Sequence, residues 1–185
     1  MNITIISGSP RMNSVTHRIA LHLQNFLHET TSHEVAIIDM KEWHLPMVQS
    51  VWTSPQAAPA DFRPLAEQMF ATDAFILVTP EYNGSYSPAL KNLLDHLPKQ
   101  HHKTFGIVTA SPGAMGGMRA AQQLLLLVPA LFGIVSPYML VVPGVEKKFS
   151  ESGELLDEKF EHTVHNFVTE FLWITEKTVS EKIFA

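Results

Sequence analysis

Apolar positions along the chain follow two alternating patterns. Short, nearly continuous runs rich in β-branched residues occupy Ile3 to Ile6, Glu34 to Ile38, Ala74 to Thr79, Lys103 to Thr109 and Tyr138 to Val142. Between them apolar residues recur every three to four positions, as at Val15, Ile19, Leu23 and Phe26, at Met118, Ala121, Leu125 and Val128, and at Phe160, Val164, Phe167, Phe171 and Ile174. The first pattern predicts strands buried on both faces; the second predicts helices with one apolar stripe. Shorter helices are predicted over Arg63 to Ala71 and Ala89 to Asp95. Five strands alternating with helices predict an α/β, doubly wound parallel sheet of strand order 2-1-3-4-5, with right-handed crossovers and its chemistry at the carboxyl ends of the strands.

Three loops at that edge carry unusual residues. The first runs from Ser7 to Thr16. Gly8 permits a tight turn, the hydroxyls of Ser9, Ser14 and Thr16 can donate to an oxyanion, Arg11 adds charge, and the following helix adds free N–H groups and its dipole. The competing reading makes Ser14 a helix cap and Arg11 a solvated side chain. Neither the glycine-lysine pair of a Walker loop nor a G-x-G-x-x-G fingerprint is present, so a monophosphate suits the loop better than a triphosphate or dinucleotide. The second loop, Pro80 to Pro88, directly follows the third strand. Pro80 ends the ladder, Asn83-Gly84 predicts a turn of positive φ, and Ser87-Pro88 are an N-cap and N1 pair in the preferred order. Glu81, Tyr82 and Asn83 then present a planar ring and polar groups at the mouth of a strand, which suits a flat heterocycle. The third loop follows the fourth strand, where Ser111, Gly113, Gly116 and Gly117 let backbone N–H groups approach a ligand, although a flexible βα turn accounts for them as well.

Composition narrows the classes. At 185 residues the chain is expected to be one domain, residues 1–185, around a single core. With 45% hydrophobic and 17% charged residues and a formal net charge of -5, it has no electrostatic footprint for nucleic acid or an acidic membrane. Cysteine is absent, which excludes disulfides, thiolate catalysis and cysteine-zinc sites. The N-terminus enters a strand directly and no apolar run is long enough to span a bilayer, so a cytoplasmic location is expected.

Loops after strands 1, 3 and 4 of such a sheet converge on one edge. A phosphate at Ser9 to Thr16, a ring at Pro80 to Ser85 and backbone donors at Ser111 to Gly117 together describe a pocket for flavin mononucleotide. The stretches Gly8 to Ser14, Pro80 to Pro88 with Leu90, Lys91, Asn92 and Asp95, and Ser111 to Gly117 resemble the three motifs of the NAD(P)H-dependent FMN reductases, a family that includes quinone, azo-dye and chromate reductases. The resemblance spans nearly the whole chain in the right order. It implies a flavodoxin-like fold, FMN as cofactor, NADPH or NADH as co-substrate, a small-molecule acceptor and a homodimer or homotetramer with the flavin near a subunit interface. It also implies that Ser9, Arg11, Ser14, Val15 and Thr16 hold the phosphate, that Pro80, Glu81, Tyr82, Asn83 and Gly84 border the isoalloxazine, and that Ser111, Gly113, Gly116 and Gly117 lie along its pyrimidine side. Many relatives carry Asn where Thr16 stands, which implies an altered phosphate contact. No side-chain acid or base is expected in the reaction, because the cofactor carries the chemistry. The rival class is a flavin-bearing electron carrier or binding module for a protein partner.

Other features point elsewhere. The histidines, His96, His101 and His102 among them, lack a metal-binding spacing and are expected to be solvated. Residues 41–61 form a long connection with Pro and Ala, either a lid or an interface segment, and Trp43 and Trp52 on it are expected at an interface or over a small core of its own. Glu81 is expected at the ring edge or paired with a base across a dimer interface.

Overall fold

The computed structural model describes residues 1–180 of the chain. Its strands are β1 (Asn2–Ser7), β2 (Glu34–Asp39), β3 (Ala74–Thr79), β4 (Thr104–Ser111), β5 (Ile134–Val135) and β6 (Leu140–Pro143). Its helices are α1 (His17–Thr30), α2 (Arg63–Ala71), α3 (Pro88–Asp95), α4 (Met118–Ala130), α5 (Val145–Lys148) and α6 (Glu161–Ser180). All strand pairs are parallel, in the order β2-β1-β3-β4, and both β5 and β6 lie on the outer edge of β4. The architecture is the doubly wound, flavodoxin-like one that the apolar runs predict.

The outer edge departs from that expectation. The fifth strand, predicted over Tyr138 to Val142, is divided: β5 pairs with Thr104 and Phe105, and β6 pairs with Val108 to Ser111. Ser136 still donates its N–H to the Phe105 carbonyl at 2.9 Å. Pro137 follows with no N–H to give, so the ladder lapses until Leu140.

Period-two alternation sorts the strand residues between two cores. Ile3, Ile5, Ile76, Val78, Val108 and Ala110 face α1 and α6, whose Leu23, Leu27, Phe167 and Phe171 are fully buried against them. Ile6, Phe75, Leu77, Phe105 and Ile107 face Leu65, Met69, Leu90, Leu93 and Leu124 of α2, α3 and α4. At Gly106 the strand makes room for α6. A Cβ there would come within 2.9 Å of the Phe167 ring and 3.1 Å of the Phe171 ring.

Residues 41–61 pack onto the α2/α3/α4 side of the sheet. Trp43, Leu45 and Phe62 pack against the α2/α3/α4 core, and Trp52 is 3% exposed within it. Asn92 on α3 pins the segment by donating to the Leu45 and Pro46 carbonyls at 3.3 and 2.8 Å and accepting from the Val48 N–H at 3.2 Å. Trp52 donates its backbone N–H to the His96 carbonyl at 2.7 Å, and its ring lies 4.7 Å from the His96 ring. Both indole and imidazole therefore belong to the core, which corrects the expectation of a solvated His96 and puts Trp52 in the main core rather than at an interface or in a small core of its own. His101 and His102 are exposed as expected. Among the described residues, no group of three or more His, Cys, Asp and Glu can hold a metal ion, and no helix is long and apolar enough to cross a membrane.

Candidate functional site

The three loops meet. Gly8 leaves β1 by donating its N–H to the Val78 carbonyl at 2.8 Å. A Cβ at this position would sit 3.1 Å from the Leu90 Cβ and 3.2 Å from the Val78 oxygen, so glycine serves a close approach between the first two loops rather than a positive φ. Ser87 completes the joint. Its hydroxyl caps α3 by accepting from the Leu90 N–H at 3.1 Å and donates to the Gly8 carbonyl, while its own N–H donates to Thr79 Oγ1 at 3.0 Å. One buried serine thus fixes the start of α3, the end of β3 and the exit from β1.

Between these loops lies a cavity of about 300 Å³ lined by Ser9, Arg11, Asn13, Ser14, Val15, Thr16, Pro80, Glu81, Tyr82, Ala110, Ser111, Pro112 and Glu146. Nine of the fourteen residues singled out in the sequence line it, namely Ser9, Arg11, Ser14, Val15, Thr16, Pro80, Glu81, Tyr82 and Ser111. The other five are close by. Asn83 and Gly84, at φ 52° and 83°, form a two-residue turn closed by reciprocal bonds between Tyr82 and Ser85 at 2.8 and 3.1 Å. Gly113 is exposed. Gly116 and Gly117, at φ 60° and 89°, are buried against Val141, Pro143 and Thr109, where a Cβ would approach within 2.9 Å of a neighbour. The Gly116 N–H donates to the Gly113 carbonyl at 3.2 Å, so that donor is already engaged inside its loop.

The anion end is built from unspent donors. Thr16 stands at the N-cap of α1 but makes no side-chain cap, and the Ser14 hydroxyl is buried without a partner. The Ser14 side chain therefore does not cap the helix; its carbonyl accepts from the His17 N–H at 3.3 Å, and its buried hydroxyl remains for a ligand. Ser9, 2% exposed, accepts only a long 3.4 Å bond from the Arg11 N–H. The Arg11 guanidinium lies 4.7 Å over the Tyr82 ring, joining the first loop to the second. Tyr82 is half-buried, and its hydroxyl is a second unpartnered donor.

Glu81 is engaged within the chain. Its carboxylate accepts from the Arg119 backbone N–H at 3.1 Å and pairs with the Arg119 guanidinium at 3.3 Å, tying the second loop to the first turn of α4. Sequence reasoning missed Asn13, Ala110, Pro112 and Glu146. The first three adjoin residues it singled out; Glu146 lies beyond β6 in a stretch with no motif, and only the packing of α5 brings it to the cavity.

Hydroxyl donors, a helix N-terminus and an arginine resting on an aromatic ring, all lining one cavity, suit a flat cofactor bearing one phosphate. Sequence comparison agrees. The profile of the NADPH-dependent FMN reductases matches residues 1–147. An FMN-dependent NADPH-azoreductase of Staphylococcus aureus is 31% identical over 174 residues, covering 91% of this chain and 92% of that protein. In structure, the chain resembles FerB, a flavoenzyme NAD(P)H:(acceptor) oxidoreductase of Paracoccus denitrificans (TM-score 0.81, 24% identity, 96% and 98% of the two chains). It also resembles a flavodoxin mutant of Pseudomonas aeruginosa (TM-score 0.61, 20% identity, 93% and 99%), a likeness of fold alone. Cavity, motifs and profile coincide, and the chain belongs to the NADPH-dependent FMN reductase family.

Proposed function

We propose that this chain, by its family an NAD(P)H-dependent oxidoreductase that works through FMN, holds the cofactor in the cavity between the first, second and third loops and reduces a small acceptor there. The observation that carries this reading is the buried, unpartnered Ser14 hydroxyl at the uncapped start of α1, in the same cavity as Tyr82. A phosphate would satisfy it, together with Ser9, Thr16 and the positive end of the α1 dipole; Arg11 would supply charge. Pro80, Tyr82 and Ser111 would border the ring. Asn83, Gly84, Gly113, Gly116 and Gly117 would shape the loops that bear these groups.

The redox chemistry, hydride uptake from NADPH or NADH and two-electron reduction of the acceptor, would be supplied by FMN held by Ser9, Arg11, Ser14, Thr16 and Tyr82. The protein's share is placement. Ser87 and Gly8 fix the first and second loops against each other, and Glu81 fixes the second against α4, so the phosphate end and the ring end stay in register without a catalytic acid or base. A quinone, a free flavin, an azo dye or a metal oxyanion would suit an open ring face. Exposed Leu125, Leu126 and Phe132 would pack in a homodimer or homotetramer, and the cytoplasm would supply the reduced nicotinamide.

Titrating the apoprotein with FMN under fluorescence, then adding NADPH or NADH anaerobically, tests the reading. Quenching that saturates at one FMN per chain, followed by bleaching of the flavin absorbance, is expected. A protein that quenches no FMN, or whose bound FMN neither nicotinamide bleaches, would overturn it.

A further inference from the structure

Three charged side chains line the cavity, and two of them are engaged: Arg11 lies over Tyr82, and Glu81 is held by Arg119. The third is Glu146. Among the described residues its carboxylate has neither a hydrogen bond nor an ion pair with any group of the protein.

Its place is set by the packing around it. Val145 is fully buried in the core that contains Ile19 and Leu23 of α1, and the Phe149 carbonyl accepts from Arg18 Nη1 at 3.1 Å. Helix α5 is therefore fastened to α1 just beyond the anion loop. At its other end it leaves β6, whose neighbour β4 carries Ser111. Glu146, an exposed residue, thus lines the cavity together with the hydroxyl-bearing first loop and the third loop.

A carboxylate covered by a ligand loses water, and that loss is costly unless the ligand returns hydrogen-bond donors to it. A second anion cannot do so; hydroxyl groups can. We propose that Glu146 is a specificity-determining residue, its carboxylate accepting hydrogen bonds from the hydroxyls of the polyol chain between the phosphate and the ring of a flavin nucleotide. This rests on the FMN reading above and adds to it a group that recognises the middle of the ligand. Because Glu146 is negative, it also opposes the phosphate through space, so the side chain selects for hydroxyls at some cost to the anion.

The test compares apoprotein affinities for FMN, riboflavin and lumiflavin, which lacks the polyol, in wild type, Glu146→Ala, Glu146→Gln and Glu158→Gln, the last removing an equal charge from an exposed site outside the cavity. Glu146→Ala is expected to weaken riboflavin about tenfold and leave lumiflavin unchanged. Glu146→Gln is expected to raise the ratio of FMN to riboflavin affinity roughly threefold, an effect that added salt reduces, while Glu158→Gln leaves the ratio where it was. Equal losses of riboflavin and lumiflavin in Glu146→Ala would overturn the proposal by making Glu146 a ring contact. Unchanged affinities in both Glu146 variants would overturn it too, with the FMN reading intact. Wild-type protein that binds no FMN would instead remove the FMN reading, and this inference with it.

Discussion

Glu81 holds Arg119 at two points, the backbone N–H at 3.1 Å and the guanidinium at 3.3 Å, and the two are unequal. The Arg119 side chain is 61% exposed and its ion pair is worth little in water, whereas the bond to the N–H satisfies one of the orphan donors in the first turn of α4. Gly117, at the N-cap of α4, has no side chain to do so. Glu81→Ala is therefore expected to lower stability by about 1–2 kcal/mol, the size of a lost helix cap, and Arg119→Ala by less than about 0.5 kcal/mol. Urea unfolding of both variants checks the order; equal losses would mean that the side-chain pair, not the cap, is the tie.

Ser87 is the buried joint of the first two loops. Removing its hydroxyl leaves the Leu90 N–H without its cap and the Gly8 carbonyl without its donor, both away from water. Ser87→Ala is expected to cost about 2–3 kcal/mol in urea unfolding. It is also expected to weaken FMN binding, because the phosphate loop loses its anchor. Unchanged FMN affinity in a destabilised Ser87→Ala protein would show that the loop is held from elsewhere.

The sequence made local chemistry legible and long-range docking illegible. Ser87-Pro88 and Asn83-Gly84 announce a cap and a positive-φ turn through their own residue types, and both form as expected. The three loops could be brought to one edge because strand order follows from the alternation of strands and helices. Glu81 carries no such signal: its partner lies 38 positions away on another element. Trp52 reads as an interface residue or part of a small separate core because its segment has no periodicity, yet Asn92 and His96 draw it into the main core. Glu146 was invisible for the same reason, since its position depends on where Val145 and Phe149 pack. Pro137 was in plain view, but its effect on the edge strand depends on β4 lying alongside.

Gly106 allows a strict test of the α6 packing. Methyl substitution would put a carbon 2.9 Å from one buried ring and 3.1 Å from the next, and both rings are stacked with no exposed side to retreat to. Gly106→Ala is expected to destabilise by about 1–3 kcal/mol, the usual cost of overpacking. Adding Phe167→Leu should return part of the loss. Two independent, additive losses would show that the ring is not the obstacle.

His22 gives the protein a pH dependence of known sign. Burial lowers its pKa from the ordinary 6.5, against smaller upward contributions from its bond to the Gly153 carbonyl and from Glu29. The folded state thus holds this proton less tightly than the unfolded chain does. The stability that neutral His22 contributes is full above pH 6.5 and is lost as pH falls from there through the lower folded value. His22→Gln should flatten the Tm profile in that window alone. A wild-type Tm that rises on acidification from pH 6.5, with the slope abolished in the variant, would reverse the sign.

Arg11 separates the phosphate from the rest of the ligand. Its guanidinium is exposed and rests on Tyr82 rather than in a salt bridge, so among the described residues no carboxylate is left unpaired when it is removed. Folding should therefore be nearly unaffected in Arg11→Ala, with a change within about 0.5 kcal/mol. Toward a dianionic phosphate, loss of a charge-assisted bond is expected to weaken FMN binding about tenfold and to make it less sensitive to salt. Riboflavin, which has no phosphate, should bind as before. The contrast distinguishes a phosphate contact from a ring contact: an Arg11→Ala protein that loses riboflavin and FMN equally would place the guanidinium's role at Tyr82, where it now stacks, and would leave the anion to Ser9, Ser14, Thr16 and the start of α1.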